Sequence, residues 1–319
     1  MASRRFHWRV QVLPTLMAAA LAAGIFGLAP TAVGGPPSCA VSNVGTHAGY
    51  SSLQAAVNAA APGDTLEVSG TCVGNTTVDR DITIKGEGRS PTLDGGRAGT
   101  VVHITDGTTT LEDLTITNGV ASAESVEGNP CCVGGGIAIS GPTAAARLVD
   151  SLVTGNSAGV FGGGIDVDDG TLTLVDSTVS GNTSSSSGGI DSDFGTITLI
   201  DSTVSGNVAT GGGTCTAADL SCAGGIWNFG GTLTLIDSTV TRNTADDRGG
   251  GIVNQQSGAV TTLSGTSTIS SNRAGEFGGG IWVRSGTVTA TADWDGSVEK
   301  NKPDQCFPTV TIGSTTCGA

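Results

Sequence analysis

Short strings in which apolar and polar residues alternate recur along most of this chain, and glycine, asparagine and aspartate punctuate them. Thr171-Leu172-Thr173-Leu174-Val175-Asp176-Ser177-Thr178-Val179 returns almost unchanged as Thr232-Leu233-Thr234-Leu235-Ile236-Asp237-Ser238-Thr239-Val240. Alternation with a period of two predicts strands, here two or three per unit and three to five residues each, broken by Gly, Asn and Asp turns. None is long enough for a hairpin sandwich.

The strings sit inside a larger repeat. Gly-Gly-Ile occurs with its isoleucine at Ile137, Ile165, Ile190, Ile226, Ile252 and Ile281, in steps of 28, 25, 36, 26 and 29 residues. Each copy is followed by an apolar residue, two spacers and an asparagine, giving Asn156, Asn182, Asn207, Asn243, Asn272 and Asn301. A β-patterned period of this length reads as one coil of a parallel solenoid per copy. Ile165, Val167, Leu172, Leu174 and Val179 should then point inward, and the asparagines should stack as an internal ladder that satisfies turn backbone groups. The long 36-residue step holds an insertion, residues 209–223, and residues 120–133 form a second one at the same place in their coil. Residues 51–61 read as a short amphipathic helix with a serine N-cap, closed by Pro62-Gly63-Asp64-Thr65, suited to plugging an open solenoid end. The expected architecture is all-β: a right-handed parallel β-helix of nine or ten coils with a short N-terminal capping helix. Its divisions are a signal at 1–34, a cap and first coils at 35–133, repeat coils at 134–301 and a C-terminal cap at 302–319.

Two stretches carry a family resemblance. Leu53-Gln54-Ala55-Ala56-Val57 through Pro62-Gly63-Asp64-Thr65-Leu66-Glu67-Val68 to Ile82-Thr83-Ile84-Lys85-Gly86 resembles the opening of pectin-lyase-like right-handed parallel β-helix proteins. The coils from Gly134 to Asn301 resemble the polymorphic outer-membrane protein repeat, with its Gly-Gly-small-Ile and apolar-x-x-Asn signatures. The resemblance implies a fold more than a function, since such coils serve adhesins, autotransporter passengers and glycan-active enzymes alike. The catalytic histidine patterns of polygalacturonases and the arginine segment of pectate lyases are not found in this sequence.

Composition narrows the classes. Glycine accounts for 52 of 319 residues, without the strict triplet period of collagen. Arg4, Arg5 and Arg9, the apolar run at 10–29 and Ala32-Val33-Gly34 read as an export signal. Its loss removes three arginines and no acid, taking the formal charge from −14 to −17. Such a chain is a poor partner for nucleic acid, which needs clustered Lys and Arg, and for polyanions generally. No later segment is apolar for long enough to span a bilayer. All eight cysteines follow the signal, an even number in an exported chain, which suggests disulfides rather than metal ligation. Local pairing gives Cys39–Cys72, Cys215–Cys222 and Cys306–Cys317, leaving the adjacent Cys131 and Cys132 either bridged to each other or linked elsewhere.

Candidate chemistry follows from the stacking. If each Ile faces inward, the next residue should face solvent. That column reads Ala138, Asp166, Asp191, Trp227, Val253 and Trp282, and the one two residues on reads Ser140, Asp168, Asp193, Phe229, Gln255 and Arg284. Coils about 4.8 Å apart would crowd Asp166, Asp168, Asp191 and Asp193 into one patch. Crowded carboxylates raise one another's pKa or recruit a cation such as Ca²⁺, and a pair of them is the machinery of glycoside hydrolysis. Trp227, Phe229 and Trp282 would offer plates for sugar rings. The leading expectation is a secreted or surface-associated binding or structural protein, with an extracellular glycan or another surface ligand as its partner, no assured cofactor and no assured catalysis. The alternative is a polysaccharide lyase or glycoside hydrolase using the four aspartates directly or through Ca²⁺. A third reading takes the outward ranks Thr171/Thr173, Thr196/Thr198, Thr232/Thr234 and Thr287/Thr289 as an ice-binding face, with Val260-Thr261-Thr262-Leu263 breaking the rank. Gly155-Asn156-Ser157-Ala158-Gly159 matches the serine-hydrolase pattern but has no strand-to-helix elbow, and is read as chance.

Overall fold

The structure is a computed structural model and describes residues 38–122, 134–211 and 222–318. The expected signal at 1–34, Cys131, Cys132 and Cys215 lie outside these residues. The described chain is a β-solenoid. One coil shows the plan: the strand Ile165–Asp168 forms the fourth face, Thr171–Val175 the first, Thr178–Ser180 the second and Thr183–Ser184 the third. Along the stack the first face carries eleven strands, the second nine, the third six and the fourth nine. The repeat copies pair in parallel register, as Leu172 with Ile197 and Ile197 with Leu233. The third face was not legible as a strand, because two residues cannot display an alternation.

The inward residues behave as the pattern requires. Ile165, Val167, Leu172, Leu174 and Val179 are wholly buried and belong to one continuous core. Burying a Val, Leu or Ile side chain contributes roughly 1.5–3 kcal/mol, and each coil supplies five or so such residues. The glycine pairs have a steric cause. A Cβ on Gly163 would stand 2.4 Å from the Gly188 carbonyl, and one on Gly189 would stand 2.4 Å from that of Gly225. Only glycine lets successive coils approach this closely.

Two buried polar ladders run beside the core. Asn207 Oδ1 accepts from the backbone N–H and the side-chain amide of Asn182, both at 3.0 Å, and Asn207 Nδ2 donates to Val179 O and to Asn243 Oδ1. The same rung repeats from Asn156 to Asn301. A second ladder, of serines, was not anticipated: Ser151, Ser177, Ser202, Ser238 and Ser267 are buried, and each backbone N–H donates to the next hydroxyl at 3.1–3.2 Å. Asp150, Asp176, Asp201 and Asp237 turn the chain into this ladder in the left-handed region, at φ between 47° and 50°, which aspartate tolerates better than most residues.

Both ends are closed. The helix Leu53–Ala59, N-capped by Ser52, buries Leu53, Ala56 and Val57, and the antiparallel strand Ala40–Asn43 covers the first strand of face one. Cys39–Cys72 bridges this end. At the other end Gln305 Oε1 accepts from Asn301 N–H and Nδ2 at 3.0 Å, occupying the place of a next asparagine. Trp294 Nε1 donates to Ser267 O, ending the serine ladder. The hairpin Val310–Ile312/Thr315–Cys317 follows, pinned by Cys306–Cys317. Cys222 is also disulfide-bonded; Cys215, its expected partner, falls outside the described residues.

Candidate functional site

Stacking does bring the aspartates together, but not on an open surface. Asp166 and Asp191 are direct partners in parallel register, as are Asp191 and Trp227. The whole column expected to face solvent is buried: Ala138, Asp166, Asp191, Trp227, Val253 and Trp282. The cause lies in the connector entering each fourth-face strand, which folds back over it. A Cβ on Gly162 would meet Asp166 Cβ at 2.8 Å, one on Gly249 would meet Val253 Cγ2, and one on Gly278 would meet Trp282 Cβ at 2.5 Å. In these three runs the first glycine is therefore a lid on the residue four positions later, and Ser187 and Ala223 hold the same place before Asp191 and Trp227. Trp227, Val253 and Trp282, with Ala223, form an apolar cluster under these connectors, flanked by Phe161 and Phe229. Trp227 and Trp282 are thus not open plates for sugar rings, and the sequence expectation is corrected on that point.

The four carboxylates divide into two pairs by depth. Asp166 and Asp191 are sealed, and Asp166 Oδ2 and Asp191 Oδ1 have no hydrogen-bond partner. Burial first, then the charges of Asp168 and Asp193, push the Asp166 carboxyl up to about 7. Burial and the neighbouring Asp166 raise Asp191 well above the usual range, against a hydrogen bond from Ser187 that pulls it back. Asp168 and Asp193 are half-buried on the rim. Burial and then Asp169 raise Asp168, and burial followed by Asp168 and Asp169 raises Asp193. Among the described residues no group of three or more His, Cys, Asp or Glu side chains is arranged to hold a metal ion. The Ca²⁺ reading lacks the convergence it assumed.

The second column, apart from the buried Gln255, forms the accessible rim. Asp193 pairs in register with Phe229, and Phe229 with Gln255. Phe229, Gln255, Gln256, Arg284 and Ser285 line a shallow hollow of about 380 Å³. Sequence reading missed the residue that matters most here. Phe194 stands in the turn after Asp193 at φ 54°, 55% exposed. The equivalent turn position is Asp169 one coil earlier and Gly230 one coil later, both also at positive φ. A bulky residue is a genuine outlier in this region. Its ring meets Phe229 edge-on at 5.6 Å and leans over Gly230, where a Cβ would stand 2.5 Å from it. Further along, Phe277 and Phe307 stack at 4.5 Å and 20°, both exposed, with Arg248 set over Phe277 and Trp282. The signal was the bias in aromatic placement. All the described phenylalanines, Phe161, Phe194, Phe229, Phe277 and Phe307, lie on or beside the fourth face.

The threonine ranks are real. Thr173, Thr198, Thr234, Thr262 and Thr289 are successive register partners, so that rank runs unbroken. Val260 interrupts only the parallel rank of Thr171, Thr196, Thr232 and Thr287, and Thr261 points inward. Among the described residues no helix is long and apolar enough to cross a membrane. Comparison with known proteins returns no match, whether to a family model, to a curated protein or to a solved structure.

Proposed function

We propose that the protein is an exported or surface-held solenoid that binds an extended, uncharged glycan along the aromatic side of its fourth face. The observation that carries this reading is Phe194: an exposed ring in a left-handed turn, supported by Phe229 and by a glycine that leaves it room. Backbone strain and exposed apolar surface both cost stability, and residues that keep both cluster where ligands bind. Phe194 and Phe229 would meet the C–H face of a sugar, and the polar lining of the adjacent hollow would meet its hydroxyls. Phe277 and Phe307 would serve a more distant residue of the same polymer. A strongly acidic chain favours an uncharged polymer over a polyanion. Export rests on the N-terminal arginines and apolar run, together with the disulfides. Assignment of the coils to the polymorphic outer-membrane-type repeat, within a pectin-lyase-like framework and with the divisions given above, belongs to this proposal and rests on the Gly-Gly-Ile and apolar-x-x-Asn signatures.

The test is a glycan array followed by calorimetry, with reducing-end and unsaturated-product assays on every hit. Binding of an uncharged polysaccharide that weakens in Phe194→Ala and Phe229→Ala supports the reading. Binding confined to anionic glycans, or unaffected by both substitutions, overturns it. Product release lost in Asp168→Asn or Asp193→Asn moves the protein to the enzyme reading. The unbroken threonine rank favours a second reading, an ice-binding first face. Thermal hysteresis abolished by Thr198→Tyr would support it, and its absence in the wild type removes it.

A further inference from the structure

Asp166 and Asp191 stand opposite each other on neighbouring parallel strands, which are spaced about 4.8 Å apart. Each has a buried oxygen without a hydrogen-bond partner. Among the described residues, the surroundings of the pair supply no positive charge. On the same strands lie Asp168 and Asp193, the charges that act on the pair, and Asp169 in the adjoining turn acts on those two in turn. The preceding strand Ile137–Ser140 presents Ala138, and beyond it His103 is held by Ser140 Oγ at 3.1 Å. Burial keeps His103 below its ordinary pKa, so it offers no cation at neutral pH. The following strand presents Trp227. The connectors at 158–164 and 185–189, and the described residues 222–225 of the next one, contain no Asp, Glu, His, Lys or Arg.

Two ionised carboxylates cannot share such a space without a counter-charge. A metal ion would provide one, but among the described residues no group of three or more Asp, Glu, His or Cys is arranged to hold one. A single proton provides the same relief, turning one carboxyl into a donor for the other. We propose that the Asp166–Asp191 pair retains a proton at neutral pH and acts as a latch, holding the connectors at 158–164 and 185–189 over the fourth face until alkaline pH removes that proton.

The direction of the pH dependence is fixed by the geometry. The native pair holds protons that an unfolded aspartate, with its ordinary value of 3.8, has already released. The stabilisation is complete below about pH 4 and declines as pH rises. The folding equilibrium falls about tenfold per pH unit for each proton held only by the native state. Burial raises both carboxyls, Asp166 to about 7, and the first charge to form holds back the second ionisation, so the last proton leaves on the alkaline side of neutrality. Loss of that proton leaves both charges under the connectors, and the nearest relief is for those connectors to lift and admit water. The inference is independent of the glycan reading.

Infrared spectroscopy of the native protein at pH 7 should show a protonated carboxylic acid C=O band, absent from the Asp166→Asn/Asp191→Asn double variant. Amide hydrogen exchange, corrected for its intrinsic pH dependence, should show the two connectors losing at least about tenfold protection between pH 7 and 9. The strand Thr232–Ile236 should show no such loss, and the double variant none in either place. If the double variant does not fold, the wild-type band and the wild-type exchange contrast decide. No acid band at pH 7, connector protection that does not change with pH, or a band that calcium abolishes overturns the proposal.

Discussion

Replacing Asn207 by alanine in the middle of the ladder is the sharpest perturbation of the fold. The side chain is wholly buried and makes four hydrogen bonds of its own: two accepted from Asn182, and two donated, to Val179 O and to Asn243 Oδ1. Alanine leaves the Asn182 backbone N–H, one proton of the Asn182 amide and the Val179 carbonyl without partners in a dry interior. Asn243 Oδ1 keeps its bond from the Asn207 backbone N–H. Three orphaned buried groups at about 1–3 kcal/mol each give a loss of roughly 3–6 kcal/mol, allowing for partial relaxation. Urea unfolding followed by far-UV circular dichroism measures it, with Thr173→Ala on the half-buried outer rank as a control expected to move stability by less than about 0.5 kcal/mol. A loss that comes with a reduced m-value would mean that the two halves of the stack have been uncoupled and unfold separately. A loss below about 1 kcal/mol at unchanged m-value would refute the ladder as a continuous buried network.

Other outcomes follow from the same geometry. Phe194→Asn puts a residue tolerant of positive φ at φ 54° and removes the exposed ring; stability should change by less than about 1 kcal/mol while glycan affinity falls tenfold or more, as calorimetry would show. Gly189→Ala forces a Cβ to within 2.4 Å of the Gly225 carbonyl, so the coils must separate, and thermal melting should show a loss of about 2 kcal/mol or more. Raising pH from 4 to 7 should destabilise the wild type by about 3 kcal/mol through Asp166 alone, whose carboxyl moves from 3.8 to about 7 on folding, and Asp166→Asn should flatten that part of the profile.

The repeat spacing made the coil, the inward isoleucines and the asparagine ladder legible, because each is a strictly local rule copied many times. Burial of the outward column was not legible. Alternation says that Asp166 points away from Ile165, but not that Gly162 folds back to cover it. The same glycine run serves both coil stacking and lid formation, and the sequence shows only that glycine is needed. The serine ladder lay hidden in Asp-Ser-Thr, where serine reads as ordinary turn punctuation. Phe194 could be recognised as unusual only once register showed that Asp169 and Gly230 fill the same turn in adjacent coils.

Hydroxyl-radical footprinting of the protein with and without a bound polysaccharide bears most directly on the ligand face. Phe194, Phe229, Phe277 and Phe307 should become protected together, while the exposed Val44 and Val73, which lie away from that face, keep their free reactivity. Protection that spares the phenylalanines and falls instead on the threonine rank Thr173–Thr198–Thr234 would place the ligand on the first face and contradict the assignment.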